Sequence, residues 1–149
     1  MLSPGLLTYW TREALAAARA GNDDATGDIC GQITDRTDAL DLIAVCRVVA
    51  DTALRALLAM QEPPDELAGE AWVLEDPPTE APDRLFAARL VTAYANRDHD
   101  TVTALVAAAA NASRDERAES LWSLVNYAAG LDAQAAQYRL DTEGTTCDD

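Results

Sequence analysis

The chain has 149 residues and sets 26 acidic side chains against 11 basic ones, a net charge of −15. A field of that sign repels phosphate backbones and anionic lipid head groups, so the expected partner is neither nucleic acid nor a membrane but a protein, and a basic one. A chain of this size buries enough surface for one domain with one core, without disulfide or metal staples.

All 11 basic residues are arginines, and with the alanine excess this points to a GC-rich, bacterial coding sequence. The three cysteines, Cys30, Cys46 and Cys147, are odd in number and lack a CxxC spacing. That pattern fits the reducing cytoplasm. The segment Met1 to Leu7 has no basic residue ahead of its short apolar run, so no signal peptide is expected.

Alanine and leucine dominate, and no apolar alternation of strand period persists, so the expected fold class is all-α. A first helix starts near Ser3-Pro4 or Thr8 and stops at Ala20, where Gly21 suits the left-handed position that closes a helix. Asn22 caps a second helix, with Asp23 and Asp24 in its first turn and Ile29, Cys30 and Ile33 inward, ending near Asp35. Gly27 and Gly31 lie one turn apart and predict a close helix crossing. Thr37 or Asp35 is the expected cap of a third helix, Asp38 to Met60, apolar nearly all round and therefore central. Its charges Asp41, Arg47, Asp51 and Arg55 argue against a membrane span, and Arg47, Asp51 and Arg55 form a solvent-facing ladder.

Residues 61–81 read as a Pro-rich, acidic connector with a helical turn or two between Asp65 and Trp72. The apolar patch Trp72-Val73-Leu74 is expected to fold back on the bundle, or to leave Trp72 as an exposed partner anchor. Pro82 opens a fourth helix ending near Asn96, Asp98 or Asp100 caps a fifth ending at Asn111, and Ser113-Arg114-Asp115-Glu116 forms a capping box for a sixth. That helix runs to about Leu140, and Asp141 to Asp149 read as a disordered acidic tail.

An offset of 75 aligns residues 18–26 with residues 93–101 and matches Ala18/Ala93, Ala20/Ala95, Asp23/Asp98 and Thr26/Thr101. The expected architecture is a six-helix bundle over residues 1–140, built from two similar three-helix units, 3–60 and 82–140.

Chemistry-bearing motifs are sparse. His99 is the single histidine, so Asp98-His99-Asp100 lacks the second histidine of a metal-dependent phosphohydrolase, and three polar residues at a helix start account for it. Cys30 and Cys46 sit among apolar residues, where thiols are inert core. Glu116 and Glu119 form an ExxE pair of the kind that binds magnesium on helices, but Glu116 is better placed as the capping-box acid. No phosphate-cradling glycine loop or nucleophile elbow is present.

The reading is a non-enzymatic helical interaction module, acting as an adaptor or homodimer, with no catalytic, cofactor or metal site. Asp35, Asp38, Asp41 and Trp72 are its candidate partner contacts. The alternatives are an acidic mimic of nucleic acid, presenting Asp23, Asp24 and Asp28 together with Asp35, Asp38 and Asp41 to a basic groove, and a magnesium-dependent helical carboxylate enzyme.

Overall fold

The computed structural model describes residues 2–75 and 81–144. Among these, six α-helices and no strand are present: α1 (Pro4–Arg19), α2 (Asp23–Arg36), α3 (Ala39–Met60), α4 (Pro82–Ala95), α5 (His99–Ala110) and α6 (Arg114–Gly144). No helix is long and apolar enough to cross a membrane.

Local chemistry sets the boundaries. Ser3 accepts from the amide of Leu6 and Pro4 occupies the first turn of α1, while Asn22 accepts from the amide of Ala25 at the start of α2. The cap of α3 is neither Thr37 nor Asp35 but Asp38, whose Oδ1 accepts from Asp41 N at 2.8 Å. Thr37 instead closes α2, with its amide and hydroxyl both donating to Ile33 O, and Asp35 is bonded to Arg114. The capping box of α6 forms as expected: Ser113 N donates to Glu116 Oε2 at 2.9 Å, and Glu116 N to Ser113 Oγ at 3.3 Å.

Two inter-helix turns share one hydrogen-bond pattern. After α1, Gly21 N donates to Ala18 O and Asn22 N to Ala17 O. After α4, Arg97 N donates to Tyr94 O and Asp98 N to Ala93 O. The residue at the apex is left-handed in both, Gly21 at φ 70° and Arg97 at φ 59°. These apices are 76 residues apart, whereas the caps Asp38 and Ser113 are 75 apart.

The most extensive helix pair is α3 with α6, followed by α4 with α6. Leu121, Leu124, Val125 and Ala128 of α6 share one core with Val45, Val49, Ala50 and Ala53 of α3. Buried alanines, which bring little bulk to an interface, let the axes approach. At Gly27 an added Cβ would lie 4.0 Å from Trp122 of α6, an ordinary van der Waals distance, and at Gly31 it would meet nothing within 4 Å, so the close crossing expected at this pair is not found.

α3 is central, packing against α1, α4, α5 and α6, although Leu40, Val48 and Leu58 of its apolar set stay exposed on the opposite side. The acidic end is not disordered over 141–144: α6 continues there, with Gln137 donating to Asp141 and the Thr142 hydroxyl donating to Tyr138 O. Residues 145–149 of the expected tail lie outside the described residues.

Side-chain links tie α6 to its neighbours, among them Arg19 to Asp132, Asp35 to Arg114 and Asp83 to Ser123. Exposed ion pairs contribute little stability, so the packed apolar stripe dominates. Leu124→Ala, at a position with no solvent exposure, is expected to cost about 2–5 kcal/mol, measured by urea unfolding against the unsubstituted chain.

Candidate docking cleft

The four candidate contacts do not come together as one surface. Asp35 receives Nε and Nη2 of Arg114, and this hydrogen bond, aided by the charge of the guanidinium, lowers its pKa. The Asp38 carboxylate caps α3, and Asp41 is buried, accepting from the amide of Leu2 at 3.1 Å. These carboxylates serve the chain's own backbone and Arg114 rather than forming an open acidic row. Asp23, Asp24 and Asp28 on α2 are exposed.

Trp72 is 9% exposed and belongs to the core, so it is not a free anchor. Its backbone is held by the Asn96 side chain: Trp72 N donates to Oδ1 at 2.7 Å, and Nδ2 donates to Trp72 O at 2.9 Å. Asn96 is the C-cap of α4, so the extended segment after α3 is pinned to the α4–α5 turn. Residues alternate sides in extended backbone, which sends Leu74 inward with Trp72 and leaves Val73 85% exposed. The expected helical turns between Asp65 and Trp72 reduce to one 3₁₀ turn, Glu66–Ala68, because left-handed Gly69 stops it. Leu67 on that turn is fully exposed.

Pinning this segment creates a cleft of about 730 Å³ between the end of α3, residues 63–72 and the α4–α5 turn. Leu54, Leu58, Pro63 and Trp72 give it an apolar lining. Residues 61–75 carry Glu62, Asp65, Glu66, Glu70 and Glu75 and no base, whereas the turn contributes Arg97 and His99 to the lining, with Asp98 and Asp100 beside them in the chain. Neither Arg97 nor His99 pairs with a carboxylate among the described residues. Just outside the cleft, the Arg47–Asp51–Arg55 ladder is partly drawn inward. Asp51 is half-buried, bonding Arg55 at 2.9 Å and accepting from the Tyr94 hydroxyl at 3.2 Å. Burial, then the charge of Asp51, raises the Tyr94 pKa.

Arg97 is the one described non-glycine residue with positive φ. A left-handed conformation costs a residue with a Cβ roughly 1 kcal/mol relative to glycine, and Gly21 shows glycine in the same turn geometry. An arginine side chain is thus kept at the cleft against the local backbone preference. In the sequence, an arginine in a polar turn carries no signal until its φ is known.

No family model, curated protein or solved structure matches the chain.

The residues weighed for catalysis are dispersed. Burial pushes the thiols of Cys30 and Cys46 up to about 12, which keeps both protonated at neutral pH, and His99 lies on the exposed turn away from them. Asp98 is the N-cap of α5, and its bonds from the Thr101 hydroxyl and amide lower its pKa. Glu116 is lowered in the same way by the Ser113 amide. Among the described residues, no group of three or more His, Cys, Asp or Glu is placed to hold a metal ion.

Two outcomes follow from these contacts. Asn96→Ala breaks both clamp bonds and is expected to cost about 1–3 kcal/mol, with a red-shifted tryptophan emission as Trp72 loosens; unchanged emission and stability would count against the clamp. Asp35, Asp98 and Glu116 are depressed in the folded state relative to ordinary values of 3.8, 3.8 and 4.5. Their stabilisation is therefore complete above those values and lost as pH falls through the lower folded ones. Thermal midpoints should hold from neutrality to about pH 5 and decline below about pH 4, with a shallower decline in Arg114→Gln.

Proposed function

We propose that the chain is a non-enzymatic helical interaction module of the bacterial cytoplasm, docking a basic protein partner at the cleft beside residues 61–75. The observation that carries this reading is the coincidence of exposed apolar side chains with an acidic segment. Leu58, Leu67 and Val73 stand in water around a stretch bearing five acids and no base. Apolar knobs ringed by one sign of charge suit a partner with an apolar segment flanked by the opposite sign. A second copy of this chain fits less well, since docking would bring two charges of −15 together. Free Cys30 and Cys46 are compatible with a reducing compartment.

The fold itself reads as two three-helix units. The matching turns at Gly21 and Arg97 and the matching caps at Asp38 and Ser113 support that reading, with one residue fewer between turn and cap in the second unit. The units then diverge in use, because the second presents its turn to the cleft.

The reading is tested by affinity capture from a lysate of the source organism, using the unsubstituted chain and the double variant Leu67→Glu, Val73→Glu. Both positions are exposed, so the variant is expected to fold normally. A partner held by the unsubstituted chain at about 0.5 M salt, where surface charge is screened, should fall at least about tenfold with the variant. Equal recovery by the two would move the docking face elsewhere.

A further inference from the structure

We propose that Arg97 and His99 form a carboxylate subsite that selects a peptide carboxy terminus, with an apolar last residue packed on Leu58 and Trp72 and basic residues upstream facing Glu66 and Glu70. This rests on the docking reading above and names the partner segment.

The argument starts from the backbone of Arg97. The turns after α1 and α4 make the same hydrogen bonds, and the first uses Gly21 where the second uses Arg97 at φ 59°. Nothing in the turn itself calls for the arginine side chain. The C-terminal end of α4 attracts a cation, but the N-terminal end of α5, one residue on, repels it. What the position offers is the cleft, which Arg97 and His99 both line.

The lining holds acids from residues 61–75 and bases from the α4–α5 turn, and this pairing gives the ligand its polarity. A peptide ending in a free carboxylate carries its negative charge at one end only, and Arg97 offers a planar fork of donors matched to that group. The body of such a ligand requires an apolar lining, supplied by Leu58, Pro63 and Trp72. Its upstream bases meet the acids of residues 61–75. A cleft of about 730 Å³ lies within the range of clefts that bury most of a small ligand.

The test uses two fluorescein-labelled pentapeptides, Lys-Arg-Ala-Leu-Leu with a free terminus and the same sequence as its terminal amide. On a chain of charge −15, long-range attraction favours the more cationic amide. The subsite predicts the opposite sign, with the free acid bound about tenfold tighter by fluorescence anisotropy and amide shift changes in NMR centred on residues 96–99. Arg97→Gln retains the strained turn and should reduce the acid preference to less than about twofold. Arg97→Gly should also lose it while raising the thermal midpoint by about 3 °C, as the backbone strain is relieved.

Equal affinity for acid and amide, tighter binding of the amide, or no binding of either overturns the subsite. If capture still depends on Leu67 and Val73 in any of those cases, the docking reading survives. If that dependence is absent, the docking reading fails with the capture experiment rather than with the peptides.

Discussion

The packing of α6 against α3 and α4 is the contact on which the other elements depend. A helix of 31 residues spans the bundle, and its buried stripe of Leu121, Leu124, Val125 and Ala128 supplies apolar area to α1, α2, α3 and α4. Its neighbours are shorter and alanine-rich, with Ala14, Ala50, Ala53 and Ala87 essentially without solvent exposure. Small side chains bury little area each, so such helices gain stability by closeness rather than by bulk. Because α6 touches all five others, displacing it would expose most of the core at once.

The acidic side chains divide into those absorbed by the fold and those left to solvent. Asp35, Asp38, Asp41, Asp98 and Glu116 each accept hydrogen bonds from a backbone amide or an arginine, and most sit at helix starts, where the dipole and the orphan amides favour a negative charge. The acids of residues 61–75 are only partly used this way, with Asp65 capping the 3₁₀ turn and Glu70 accepting from the Asp65 amide. That local use leaves their charge in place.

The cleft is where local preference and global fold disagree. A left-handed arginine lines it, and a fully exposed leucine and an 85% exposed valine stand on the segment that forms one of its walls, each unfavourable alone. Apolar side chains such as Leu40 and Leu140 are exposed elsewhere too, so what sets the cleft apart is the left-handed arginine in its lining.

Helix number, order and most boundaries were legible in the sequence, because Pro4, Gly21, Asn22, Pro82, Asp98 and the Ser113–Glu116 box act through bonds within four residues of themselves. The inward face of α2 was legible for the same reason, since a period of 3.6 is a local property. Three matters were decided only by the tertiary structure. Asp35 and Asp41 resemble any surface acid until Arg114 and the amide of Leu2 arrive from 79 and 39 residues away. Trp72 is apolar by composition, but its burial depends on Asn96, 24 residues on, reaching its backbone. Arg97 carries no mark in the sequence, because its significance lies in a φ angle imposed by the turn and in a cleft that exists only once residues 61–75 fold back. Local hydrogen bonding wrote the helices into the sequence, while the cleft arises from long-range contacts that no single segment encodes.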